Sequence, residues 1–163
     1  MATTGRSKRF ALGVSALIWV YWGVLHIWVA LEGVRQYISA GTKGQWNLLI
    51  GGSHVPRAAF QHTSDAITAY AHGQLILNFC LDVGGYGVLA LIIAWLLWKK
   101  ESWAACFIGL VVVGIGDLAF LFSLVTTGVI EANIPTISGP IVWFFACAIA
   151  PFGLPAIRRK QEG

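Results

Sequence analysis

Four long apolar runs divide the chain, and each is long enough to cross a hydrocarbon core, which takes roughly 20 helical residues. They cover about Phe10–Val34, Ala69–Trp98, Trp103–Ile130 and Ile137–Ile157, and no fifth run of that length remains. The first follows Arg6, Lys8 and Arg9 as a signal sequence would. Its apolar stretch reaches Leu31 without a small-residue cleavage site, so it reads as a retained span. The turn at Trp98–Trp103 and the loop around Glu131–Gly139 are short, which makes the spans they join antiparallel neighbours. The expected fold is all-α: a polytopic membrane protein, an antiparallel four-transmembrane-helix bundle forming a single domain over residues 1–163.

The connection from about 36 to 68 is too long for a simple turn. It carries Gly41, Gly44, Gly51, Gly52 and Pro56 around an apolar patch, Trp46–Ile50. We expect a partly ordered outward-facing cap with a short helix on the membrane surface, and Thr63, Ser64 or Asp65 as the cap of the second long helix.

Composition agrees with the pattern. Hydrophobic residues make up 57% of the chain and charged ones 11%, against about 45–50% and 25% in ordinary soluble domains. A soluble enzyme, a disordered tail and a nucleic-acid-binding module are excluded. The net charge of +4 lies mostly in collars: Arg6, Lys8 and Arg9, then Lys99 and Lys100, then Arg158, Arg159 and Lys160. Arg35, Lys43 and Arg57 are spread along the other side. By the positive-inside rule both termini are cytoplasmic. Trp95, Trp98 and Trp103 form one aromatic belt, and Trp28 and Trp46 belong to the opposite one. Cys80, Cys106 and Cys147 each fall inside a span, with no paired spacing, and read as small apolar fillers.

Candidate chemistry comes from titratable groups inside the spans, which are costly and so mark functional sites. His26 lies 17 residues from Arg9, Asp82 lies 17 from Lys99, and Asp117 lies 17 from Lys100. At a rise of about 1.5 Å per residue each stands about 25 Å above the inner collar. One layer in the outward half therefore holds a histidine and two carboxyls. Tyr70, Gln74, Asn78 and Asp82 recur every four residues and share a helix face leading down to that layer. Trp19, Trp22, Gly23 and His26 share a side of the first helix. Trp143 lies near the same depth on the fourth, and Gly114 one turn before Asp117 permits a close approach. The expectation is an aromatic-walled polar pocket open toward the outside, with Trp19, Trp22, Tyr70, Gln74, Asn78 and Trp143 binding the ligand.

Such a pocket suits acid–base catalysis, with Asp117 as the neutral acid and Asp82 paired with His26 as the base. The tryptophans would stabilise a cationic intermediate. The leading expectation is an isomerase or cyclase acting on a lipophilic small molecule. In layout it resembles the small membrane isomerases that carry histidine, carboxylates and tryptophan in a helical bundle, although no motif transfers residue by residue. Two other classes stand beside it. A proton-coupled transporter or channel protomer would use the same groups as a relay, but the inner halves of the spans offer no polar steps. A non-catalytic or lipid-binding subunit of a larger complex, or a homo-oligomer, would use them as interhelical hydrogen bonds, and the small-residue face of Ala146, Ala150 and Gly153 would suit docking. No cofactor or metal is expected. His54, His62, Asp65 and His72 lack a recognised metal spacing, and His72 stands roughly 15 Å further out than His26, which suits one haem poorly.

Overall fold

The structure of the protein, a computed structural model, describes residues 3–156, with the side chains at 3–4 and 46–48 left out. Ile157 and the collar residues Arg158, Arg159 and Lys160 lie outside the described residues, as does the side chain of Trp46. The described chain is all-helical: α1 (Thr3–Leu49), α2 (Ala66–Lys100), α3 (Trp103–Val125) and α4 (Ile134–Gly153). All four are long and apolar enough to cross a membrane, the architecture of a multi-pass membrane protein built as a four-helix bundle.

The helix ends follow from local chemistry. Asp65, in extended geometry, accepts the Thr68 amide at 2.7 Å and starts α2. Its contacts with the Thr68 side chain and amide hold the carboxyl below its ordinary pKa. Lys99 and Lys100 close the same helix at its negative dipole end. Glu101 then turns left-handed, with φ 48°, and Ser102 accepts the Ala105 amide to open α3. Asn133 and Thr136 form a reciprocal capping box at the start of α4, which begins that helix before Ile137.

Two boundaries depart from the sequence expectation. α1 does not stop near Val34 but stays helical as far as a break at Gly41, beyond which a second helical segment reaches Leu49, so part of the expected 36–68 cap is helical. Glu32 stabilises this extension by binding Arg35 and Gln36 one turn on. The break comes at Gly41, with φ 59° and ψ −150°, a conformation that suits glycine. At the other end, α3 gives way before Ile130: Gly128, with φ 74°, turns the chain over residues 126–130. The loop after α1 clasps that turn. Gly51 and Gly52 donate to the Val129 carbonyl, and His54 and Val55 donate to that of Gly128. A Cβ on Gly52 would collide with the Gly128 carbonyl.

α1 is the hub. It packs against α2 along its length and against α4, while α3 leans on α4 and meets α2 near their shared hairpin. The α1–α2 contact is backbone to backbone at Gly23 and Gly87: a Cβ on either would stand 2.7 Å from the other's carbonyl oxygen. Across the bundle, α1 and α3 are too far apart for backbone contact. Trp19 and Trp22, both buried, fill that gap. The half of the bundle at the Lys99–Lys100 hairpin has a dry core of Leu12, Ala16, Ile93, Leu97, Ala105 and Ala150, crossed by a polar tie from Ser15 Oγ to the Ala146 carbonyl at 2.8 Å.

Gly23→Val should lower stability by about 1–3 kcal/mol through forced separation of α1 and α2, seen as a lower thermal midpoint in detergent. Gly85→Ala, where an added Cβ meets nothing within 4 Å, should leave the midpoint unchanged or raise it.

Candidate functional site

The site begins with a buried carboxyl. Asp117 is 5% exposed and sits on the α-helical stretch Gly114–Phe120 of α3. That stretch is bracketed by two π-helical turns, Gly109–Val113 and Leu121–Val125. Such turns concentrate at functional positions because they rotate the helix locally and widen it. The neighbouring rings explain the first one. A Cβ on Gly109 would stand 2.5 Å from the Trp19 ring, and one on Gly114 would overlap Trp143. Trp143 Nε1 also donates to the Gly109 carbonyl at 3.0 Å.

Trp22 reaches across the bundle to meet the carboxyl. Its Nε1–H is shared between Asp117 Oδ2 at 3.0 Å and the Gly139 carbonyl of α4 at 3.1 Å. One indole thus joins α1, α3 and α4. His26, one turn further along α1, stacks on the same indole with ring centroids 3.4 Å apart and planes 15° apart. His26 Nδ1 lies 2.8 Å from the Trp22 carbonyl. A carbonyl has no proton to give, so Nδ1 carries the hydrogen. The other ring nitrogen, Nε2, stands 3.9 Å from Asp117 Oδ1, a charge-pair distance that is too long for a hydrogen bond. Trp22 fixes both partners, the carboxyl through its N–H and the imidazole by stacking.

Asp82 stands elsewhere. It occupies the exposed face of α2, where Asn78 Nδ2 donates to its Oδ2 at 2.9 Å, so the expected Asp82–His26 pair is not formed. The remaining stripe also faces outward: Tyr70 is exposed, and exposed Gln74 touches the Tyr37 hydroxyl at 3.4 Å. Depth placed three groups in one layer, but helix rotation brings together only His26 and Asp117. Trp19, Trp22 and Trp143 are packed rings with their N–H groups or edges engaged, where the sequence led us to expect the walls of an open polar chamber. Sequence reasoning missed the Gly139 carbonyl and the role of Trp22 as donor. The spacing Trp22–His26 was the available signal, since it places an indole N–H and an imidazole on one face.

The outer histidines are dispersed. His54 binds the Thr127 carbonyl, His62 packs edge-on to Phe60, and Asp65 caps α2. No cluster of three or more metal-ligating side chains occurs among the described residues. A crevice of about 310 Å3 lies between α2, the end of α3 and Leu49–Ile50, lined almost wholly by apolar side chains. Its floor includes Phe79, which stacks with Phe120 at 6.5 Å. Phe120 is three residues from Asp117 on the same helix.

Comparison of the chain with protein-family models, curated proteins and solved structures gives no match.

Trp22→Phe should destabilise the protein by about 1–3 kcal/mol, because it strips a donor from a buried carboxyl and from a carbonyl together. Trp143→Phe, which frees one neutral carbonyl, should cost less. Thermal unfolding of both variants in the same detergent orders the two effects.

Proposed function

We propose that this chain is an integral membrane enzyme that performs acid–base chemistry on a lipophilic small molecule, of isomerase or cyclase type. The observation that carries the reading is the His26–Asp117 pair, a buried carboxyl with a part-buried imidazole 3.9 Å away, both held by Trp22. A double-bond shift or ring closure through a carbocation needs one proton delivered and one removed, with no change in oxidation level. Asp117 is the acid that delivers it, and His26 Nε2 is the base that takes it up. Their geometry supports those roles, since the tie from Nδ1 to a backbone carbonyl directs the basic nitrogen at the carboxyl. Both termini are cytoplasmic in this reading, so the pair stands in the outward half of the bilayer. The substrate enters from the bilayer rather than from water.

Transport is the weaker alternative. Among the described residues the buried polar side chains are Ser15, Gln45 and Asp117, and Ser15 is engaged with a carbonyl of α4. A proton path through the inner half of one protomer would need further polar steps. The exposed Asn78–Asp82 pair gives some support to a subunit of a larger assembly, because it offers hydrogen-bonding groups on the outer face of α2.

The test works on a mixture of lipids, without a chosen substrate. Purified protein in nanodiscs is incubated with a membrane lipid extract in D2O, and deuterium uptake into non-exchangeable C–H positions is followed by mass spectrometry. Native protein should label one lipid species. Asp117→Asn and His26→Gln should each lower the rate by about 100-fold or more, while their circular dichroism stays native. Absence of label with native protein overturns the enzyme reading and favours the subunit.

A further inference from the structure

α2 turns polar side chains away from the bundle. The large exposed side chains in the spans of the other helices are apolar, such as Leu17, Ile115 and Phe144. An apolar surface gains little by leaving lipid, because acyl chains are as apolar as Leu. On α2 the exposed side chains include Gln74, Asn78 and Asp82. Asn78 stands about 18 Å along that helix from Ala66, and Asp82 about 24 Å, inside a segment long and apolar enough to cross a membrane. Asn78 gives one of its two N–H groups to Asp82, which leaves the second N–H and the carbonyl oxygen for a neighbour. Hydrocarbon offers such a group no hydrogen bond, and another helix does.

The surface around Asn78 is shaped for a helix. Gln74, Asn78, Leu81, Gly85, Val88 and Ile92 follow the alternating four- and three-residue spacing of a two-helix seam, and all six are exposed. Gly85 lies two turns beyond Asn78, and an added Cβ there meets nothing within 4 Å. Packing inside the bundle therefore gives no reason for a glycine, whereas close approach of a second helix does. The small residues that the sequence offered for docking, Ala146, Ala150 and Gly153, are buried inside the bundle.

We propose that this face of α2 binds a second copy of the chain, with the two α2 helices parallel about a two-fold axis along the membrane normal. Self-complementarity identifies the occupant. Two copies inserted in one membrane share an orientation, so the axis sets Asn78 opposite Asn78 of the partner subunit. A carboxamide both donates and accepts, so the two bond reciprocally, and a single such pair in a seam favours two strands in one register. A protein of different sequence would have to bring a matching group to the same depth, whereas a second copy does so by symmetry. The same spacing places Asp82 beside the seam and not within it. The two carboxyls then stand on opposite sides of the axis, each with its own Asn78, and their repulsion does not oppose the contact. Nothing in this pairing involves His26 or Asp117, so it stands apart from the acid–base reading.

The experiment uses the full chain in phosphatidylcholine vesicles, labelled at its amino terminus with donor or acceptor dye. Energy transfer is followed as the protein is diluted in lipid, and single-molecule photobleaching counts the subunits. Native protein should bleach in two steps. Asn78→Leu should weaken association by about three- to tenfold, the scale of one interhelical polar contact in lipid. Gly85→Phe should abolish it by holding the helices apart. Both changes are on an exposed face, so thermal midpoints in detergent should stay near the native value. Single added cysteines locate the contact independently of these variants, since the native Cys80, Cys106 and Cys147 are buried. Under copper phenanthroline, Leu81→Cys and Val88→Cys should form disulfide-linked dimers, and Leu17→Cys and Ile115→Cys should not. Monomers at every dilution, counts above two, or association indifferent to both Asn78→Leu and Gly85→Phe would overturn the proposal. Crosslinking at Leu17→Cys or Ile115→Cys in place of the α2 positions would do the same.

Discussion

The hydrogen bond from Trp22 to Asp117 is the constraint on which the rest of the bundle turns. A carboxyl that is 5% exposed must have a donor, because an unpaired polar group in an apolar medium costs several kcal/mol. No backbone amide is free to serve in a helix, so the donor has to come from another element. α1 and α3 occupy opposite corners of the bundle, too far apart for backbone contact. An indole is long enough to reach across, and it arrives with a single N–H at its edge. Its length then dictates the small residues around it. Gly109 and Gly114 make room for Trp19 and Trp143, and Gly139 offers its carbonyl to the same N–H of Trp22. The π-helical turns of α3 follow the same logic, since a helix pressed by two large rings relieves the crowding by taking up one extra residue per turn.

How much of this was legible depends on which coordinate is asked for. Position along the bilayer normal can be counted, because every helical residue adds about 1.5 Å and each span starts from a basic collar. That count placed His26 and Asp117 at one level, and the structure has them facing each other. Rotation about the helix axis cannot be counted in the same way. A helix that is apolar all round carries little information about which face is inward, so Asp82 and Asp117 looked equivalent in the sequence. The four-residue stripe ending at Asp82 identified a shared face correctly but not its direction. It points outward, with Tyr70 and Gln74 exposed along it. The Asp65 cap was within reach because an extended Thr-Ser-Asp before an apolar helix is a local signal.

The outer end of the bundle was hidden for a different reason. Gly41, Gly51 and Gly52 announced bends but not partners, and the clasp between the first loop and the turn at Gly128 joins segments some 75 residues apart. Gly44 packs against the Gln36 carbonyl and Gly128 adopts positive φ. Both keep the backbone close enough for the loop to seal the outer end while leaving a crevice beside α2. The inner end needs no such device. There the two lysines and the Glu101 turn close a hairpin whose helices are already in contact through Ala90, Leu97 and Ala105.

Asp82 and Asp117 make the final point, because they stand at one depth and have opposite surroundings. Trp28, exposed on α1 and 19 residues from Arg9, lies within about 5 Å of that level by the same count along the helix. At that level an outward-facing carboxyl still reaches interfacial water and an amide neighbour such as Asn78, so Asp82 is tolerated as a solvated surface group. An inward-facing one reaches neither. Asp117 takes its hydrogen bond from Trp22 and has His26 as its nearest ionisable partner, 3.9 Å away. Depth alone would have made Asp82 and Asp117 equivalent. Packing separates them, because burial gives Asp117 its partners from another helix, whereas the exposed Asp82 is bound by Asn78 of its own.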